Sequence, residues 1–231
     1  MTTTLITGAN KGLGFETARC LIEAGHTVYV GARDAHRGQE AATRLGARFV
    51  QLDVTDVESV KAAAEFVRAD AGRLDVLVNN AGIVGVRKPV GEVTGADMLT
   101  TYDTNVFGVV RVTHAFLPLL RASDTAVVVN VSSGLGSLAA TADPSRVEFQ
   151  VMALDYNSSK TALVMITSQY ARAYPAIRFN AVDPGYTATD LNGHRGTNTV
   201  EEGAEIIVRM ASLGADGPTG GFFDRNGPVV W

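Results

Sequence analysis

One cysteine, Cys20, stands among the 231 residues, so no disulfide can form within the chain. Cys20 falls inside a helical pattern, where a small buried apolar residue is the simplest reading. Charge of one sign is also scarce: 20 basic residues face 24 acidic ones, and the formal net charge is −4. That balance gives no electrostatic ground for a nucleic-acid partner. No apolar run is long enough to span a bilayer, which argues against a membrane role. Met1-Thr2-Thr3-Thr4 leads straight into a short apolar strand, where a secretion signal would have a longer apolar stretch. The histidines at 26, 36, 114 and 194 lack metal-site spacing, and no metal is expected. There is no internal repeat, no low-complexity tract and no linker long enough to separate two domains. These absences describe a soluble cytoplasmic protein whose residues 1–231 form one domain.

What is present is a regular alternation. Short apolar runs at Leu5-Ile6-Thr7, Thr27 to Ala32, Arg48 to Leu52, Val76 to Asn79, Ala126 to Val131 and Arg178 to Val182 read as strands. Between them, apolar residues recur with helical spacing, as in Val57, Val60, Ala64, Val67 and Ala71, or Val109, Thr113, Phe116 and Leu120. Ala204, Ile207, Val208 and Ala211 repeat the pattern near the end, and Asp56 reads as a helix N-cap. Strands rich in Val, Ile and Leu without clean alternation suit a sheet buried on both faces. Strand–helix–strand repetition then implies a parallel, doubly wound α/β sheet with right-handed crossovers.

The first strand runs into Thr7-Gly8-Ala9-Asn10-Lys11-Gly12-Leu13-Gly14, followed by a helix. Glycines allow a tight turn and a close backbone approach, and a helix N-terminus favours phosphate. The spacing is TGxxxGxG, distinct from GxGxxG. Tyr156 and Lys160 lie four residues apart in a helical pattern, which places them on one face. An adjacent ammonium lowers a phenol's pKa, so such a pair can donate a proton in reduction and accept one in oxidation.

Together, TGANKGLG, Asn79-Asn80-Ala81-Gly82, Tyr156-x-x-x-Lys160 and Pro184-Gly185 occur in the order found in short-chain dehydrogenases/reductases, and the resemblance runs over essentially the whole chain. Within that family, Gly31-Ala32-Arg33-Asp34 with Arg37-Gly38-Gln39, and the Leu74 to Gly82 segment, look like the carbonyl reductases. The resemblance implies a single Rossmann-type domain with a central parallel sheet of about seven strands flanked by helices. It implies hydride transfer between NADP(H) and a carbonyl or alcohol substrate, with reduction of ketones, aldehydes or quinones as the first reading. An NAD(P)-dependent alcohol dehydrogenase and a non-catalytic NADP-binding sensor are the alternatives.

Carried over residue by residue, the resemblance assigns Tyr156 and Lys160 to proton chemistry and nicotinamide ribose binding. Ser133 would bind the substrate carbonyl, while Ser132 reads as a strand-end hydroxyl. Asn105 resembles the asparagine of a proton relay, and a helix N-cap is compatible with it. Gly8, Asn10, Lys11, Gly12, Leu13 and Gly14 would wrap the cofactor. Arg33 and Lys11 favour NADP(H) over NAD(H) through the 2′-phosphate, unless both are ordinary surface charges, and a one-residue shift would bring Asp34 towards the ribose. Asp53, with Val54 beside it, is either the adenine-binding acid or a strand-end cap. Asn79, Ala81 and Gly82 would line the cofactor, with a turn role open for Asn79. Pro184, Gly185, Thr189 and alternatively Thr187 would face the nicotinamide. The chain departs from the family pattern in the residues between Gly136 and Asp155, which lengthen the Ser133–Tyr156 interval. They would line the pocket, cover the oligomer face or form a surface loop, so a homo-oligomer and a monomer both stay open. The segment Asn192 to Gly196 is short, which implies an open pocket for a small-molecule substrate. Trp231 reads as a packing residue.

Overall fold

A computed structural model describes residues 2–231. The strands are β1 (Thr3–Thr7), β2 (Thr27–Ala32), β3 (Arg48–Gln51), β4 (Val76–Asn79), β5 (Val127–Val131), β6 (Arg178–Val182), β7 (Phe222–Asp224) and β8 (Gly227–Pro228). They form one sheet in the order β3-β2-β1-β4-β5-β6-β7-β8. Every neighbouring pair through β7 is parallel. The eighth strand, beyond the seven expected, returns antiparallel from β7 because the Asp224 carboxylate accepts the N–H groups of Asn226 and Gly227 and turns the chain.

The helices are α1 (Gly12–Glu23), α2 (Ala35–Leu45), α3 (Val57–Ala71), α4 (Gly95–Tyr102), α5 (Gly108–Leu120), α6 (Leu138–Ala142), α7 (Leu154–Ala173) and α8 (Val200–Ala211). Successive strand residues point to opposite faces, and both faces are buried. Leu5, Leu77, Val128 and Phe179 pack with Val60 and Val67 of α3, Val112 and Phe116 of α5, and Ala171 of α7. Ile6, Val78, Val127 and Val129 pack on the other face with Leu21 of α1, Ala41 of α2, and Ile206 and Met210 of α8. This double burial is why the strands read as near-continuous apolar runs. Asp56 caps α3 by accepting the Glu58 N–H, as its position suggested.

Strand order reverses between β1 and β4, which open a crevice at their carboxyl ends. In open α/β sheets that is where ligands bind. Among the described residues, no helix is long and apolar enough to cross a membrane. Two packing expectations fail. Cys20 is only partly buried, its thiol turned to the Glu16 carboxylate 3.5 Å away on the partly wetted face of α1. Trp231 is 41% exposed, since the tail beyond β8 runs along the surface.

Candidate active site

The carboxyl ends of β1, β4, β5 and β6 gather the residues that the sequence singles out. At the end of β1, Gly8 has φ of 64°, and a Cβ there would lie 3.1 Å from Ala81 Cα. Gly14 has the tightest role: a Cβ would meet Asn80 Nδ2 at 2.5 Å and the Gly8 carbonyl at 2.7 Å. Only glycine lets α1 start this close to the turn beneath it. Asn80 fixes that turn by donating from Nδ2 to the carbonyls of Thr7 and Gly8, at 2.9 and 3.2 Å. Thr7 Oγ1 in turn accepts the N–H groups of Asn80 and Ala81, both at 3.0 Å. Sequence reading missed Thr7 and Asn80 in this role; their place beside the glycines and the Asn79 motif was the available signal.

No side chain caps α1, and its first turn carries no acid, whereas α2, α3 and α8 are capped by Asp34, Asp56 and Thr199. Its positive end is therefore available to an anion held against Asn10, Gly12 and Leu13. Leu13 itself packs on Gly203 of α8. The Asp34 carboxylate accepts the Arg37 N–H at 3.0 Å as the cap of α2. Arg33 is exposed and, among the described residues, makes no side-chain hydrogen bond or ion pair. Lys11 is committed elsewhere: its ammonium pairs with Asp190 at 2.7 Å, and His194 holds the other oxygen of that carboxylate. Uncapped backbone N–H groups beside a free guanidinium form a donor set that fits a phosphorylated dinucleotide.

Several of the assigned residues also make contacts within the chain. Asn79 is buried, donating to Thr113 Oγ1 at 3.2 Å and Asn130 Oδ1 at 2.9 Å; Asn130 continues the chain to Thr167 at 2.8 Å. Its amide therefore joins β4, β5 and the helices below them. Asp53 accepts the Thr55 N–H and hydroxyl, closing the strand-end turn. Val54 packs against Gly108 of α5. The Thr187 hydroxyl points back to the Pro184 carbonyl at 3.0 Å, while the Thr189 methyl faces the Cβ position of Gly12 at 3.5 Å. Gly185 turns with φ of 71° and donates its N–H to Asp183 Oδ1.

Asn105 is not an N-cap. Helices α4 and α5 join through a π-helical turn, Asp103–Phe107, so the chain never leaves the helical region there. The widened turn aims Asn105 inward, where Oδ1 accepts the Ile83 N–H and Nδ2 donates to the Ile83 carbonyl, both at 2.9 Å. Nδ2 also lies 3.1 Å from Ser159 Oγ on α7. Single π-turns within α-helices often mark functional sites.

On α7, Tyr156 and Lys160 share the face turned to β5. Lys160 is 6% exposed; its ammonium donates to the Val131 carbonyl at 2.8 Å and sits 5.6 Å from the centre of the Tyr156 ring. Gly82 adjoins both Lys160 Nζ and Asn105 Oδ1, 3.7 and 3.4 Å from its Cβ position. Ser132 donates to the Lys160 carbonyl at 3.0 Å, the strand-end role expected of it. The Ser133 hydroxyl lies against the Tyr156 phenol, and its hydrogen bond favours the ionised form. Burial outweighs that help and pushes the phenol up to about 12. Burial likewise brings the Lys160 ammonium down to about 8, against the upward pull of Asp183. The simple expectation that lysine lowers the tyrosine's pKa is reversed here because desolvation is the larger effect on each group. At neutral pH the phenol keeps its proton and can give it to an oxyanion formed beside it.

The residues from 134 to 153 make a 3-10 turn at Gly134–Gly136, helix α6 and a second 3-10 turn at Val147–Gln150. They do two things. Leu138 and Phe149 line a groove of about 500 Å³ along the outer face of α7, and Glu148 reaches back to Gly134, next to Ser133.

The family profile of the short chain dehydrogenases matches residues 2–199. The (−)-isopiperitenone reductase of Mentha piperita is 33% identical, over 96% of each chain. That alignment runs over 301 positions against 231 residues here, so the relative carries segments this chain lacks. Among solved structures, the NADPH-bound carbonyl reductase from chicken fatty liver superposes with a TM-score of 0.88 at 29% identity, covering 100% of this chain and 99% of that one. Salutaridine reductase from Papaver somniferum gives 0.86 at 29% identity, covering 97% of this chain and 100% of that one. The Tyr156–Lys160 pair at the crevice, the glycine turn above β1 and these likenesses have one common explanation: the chain belongs to the short-chain dehydrogenase family.

Proposed function

We propose that the protein is an NADP(H)-dependent carbonyl reductase acting on a small ketone, aldehyde or quinone. The observation that carries this reading is the Tyr156 phenol, held protonated against the Ser133 hydroxyl with the buried Lys160 behind it. Reduction needs a proton donor at the carbonyl oxygen, and a phenol that keeps its proton at neutral pH can serve as one. NADPH, when bound, supplies the hydride. Arg33 would hold its 2′-phosphate, and the start of α1 with Asn10, Gly12 and Leu13 its diphosphate. Thr189 and the Pro184–Gly185 turn would flank the nicotinamide end.

Ser133 and Tyr156 orient the substrate oxygen between two hydroxyl donors, which stabilises the negative charge growing there. Tyr156 gives its proton to that oxygen. Lys160 steadies the charge left on the phenol and would hold the nicotinamide ribose. Asn105, through the Ile83 peptide and Ser159, keeps α4, α7 and the Gly82 loop in register around the lysine. The likeness to an isopiperitenone reductase and to NADPH-bound carbonyl reductase supports a carbonyl substrate.

The test is oxidation of NADPH and of NADH with a panel of ketones, aldehydes and quinones, in the wild type and in Arg33→Asp. Wild type should prefer NADPH. Losing the planar guanidinium fork should raise KM for NADPH by about tenfold or more, with NADH little affected. Equal KM values for the two cofactors in wild type would remove the role given to Arg33. No turnover of any substrate with either cofactor would count against the reductase.

A further inference from the structure

A carboxylate that none of the proton chemistry above uses sits where the two loops of the site meet. Asp183 follows β6 directly and precedes Pro184. One oxygen accepts the Gly185 N–H at 2.9 Å. Gly134, the residue after Ser133, packs against the other oxygen of the same carboxylate. Gly134 has no room for a side chain: a Cβ would lie 2.8 Å from Asp183 Oδ2 and 2.9 Å from Glu148 Oε1. One charged group thus ties the turn bearing Ser133 to the turn at Pro184–Gly185. The strands beneath are joined as well, with the Ser132 N–H donating to the Val182 carbonyl at 2.7 Å.

We propose that Asp183 is a positioning residue for the reaction: its carboxylate locks the Ser133–Gly134 turn to the Pro184–Gly185 turn and sets the electrostatic potential at the Tyr156–Lys160 pair. This rests on the reductase reading of the same site. The groups facing Asp183 are Tyr156 and Lys160 on α7, Glu148 with its partner Arg146 from the segment before α7, and Asp224 at the end of β7. The negative charge disfavours the Tyr156 phenolate and favours the Lys160 ammonium, so it keeps both protons in place. Asp183 is itself pushed up, by burial first and then by the neighbouring Asp224 and Glu148 carboxylates, while the Gly185 N–H opposes the shift.

Removing the charge should lower the pKa of the phenol. The Asp183→Asn variant should therefore lose reductive turnover at a lower pH than wild type, the alkaline limb moving by about half a unit or more. The phenolate absorbance of Tyr156, taken as wild type minus Tyr156→Phe without any cofactor, should titrate earlier by the same amount in the Asp183→Asn background. The Asp183→Glu variant keeps the charge and should stay nearer to wild type. Should Asp183→Asn fail to fold, Asp183→Ser reads the same shift, because a serine hydroxyl still accepts the Gly185 N–H. Coincident midpoints in wild type and the charge-removed variant, in both turnover and absorbance, would overturn the proposal. The reductase reading would survive that result, since it depends on whether wild type turns over at all and not on where its limb lies.

Discussion

Lys160 is expensive to keep. A lysine whose ammonium is brought down to about 8 by burial, from an ordinary 10.5, destabilises the fold wherever it must carry its proton. That cost is fully present below about pH 8 and fades as pH rises towards the unfolded value, because the unfolded chain then binds the extra proton alone. Lys160→Met should therefore stabilise the protein at pH 7 by about 1–3 kcal/mol, less the bond lost to the Val131 carbonyl. Its advantage should shrink between pH 8 and 10. Thermal melts at several pH values check this. A variant less stable than wild type at pH 7 would mean that the ammonium is better solvated in the fold than its burial implies.

The same scale shows where sequence reading stopped. Tyr156, Lys160 and Ser133 were singled out by their place in the order of the family's motifs, since an isolated Tyr-x-x-x-Lys or serine pair identifies nothing by itself. Asn80 was given no role of its own, since adjacent asparagines differ only in which way the strand end turns each amide. One enters the buried network towards Thr113 and Asn130, and the other clasps the glycine turn. Asp34 carried an ambiguity of register in the sequence; in the fold its carboxylate caps α2 through the Arg37 N–H. The direction of the Tyr156 shift was invisible for another reason: residue types name the neighbours, while the burial that raises the phenol is a property of the fold.

At the level of elements, the glycine turn depends on space at Gly14 more than on flexibility. A methyl group there would strike the Asn80 amide and the Gly8 carbonyl, and a backbone carbonyl cannot move aside cheaply. Gly14→Ala should lower stability by about 1–3 kcal/mol and weaken NADPH binding together with it. Gly95→Ala is the control: the first residue of α4 has nothing within 4 Å of its Cβ position, and alanine favours the helix. Denaturant melts and cofactor titration separate the two variants. An unperturbed Gly14→Ala would mean that α1 can slide away from the turn without loss.

The strands and most helices were readable because a sheet buried on both faces writes short apolar runs between helical periods. The π-turn at Asp103–Phe107 was not readable. Its residues keep a helical pattern, and one residue of extra winding leaves no mark on composition. The second departure, β8, is two residues long and depends on the Asp224 carboxylate rather than on any apolar pattern.

Across the whole molecule, the site is an edge property of the parallel sheet. Four strand ends deliver the glycine turn, the Asn80 clasp, Ser133 and the Asp183 turn to one crevice, and α7 brings Tyr156 and Lys160 across it. The segment between Gly134 and Ala153 links this crevice through Glu148 to the groove on the outer face of α7. Lys11, Asp190 and His194 join the glycine turn to the segment after Thr189 at the surface. Exposed pairs of this kind add little stability, so the crevice owes its shape to the sheet beneath it.

The most direct measurement compares NADPH oxidation by wild type and Tyr156→Phe against the carbonyl substrate that wild type reduces fastest, with NADPH affinity determined for both. The account predicts that kcat falls by about 10²–10⁴-fold in the variant while the affinity for NADPH stays close to wild type. Turnover surviving in Tyr156→Phe at the wild-type rate would contradict it, because the proton would then come from a group other than this phenol.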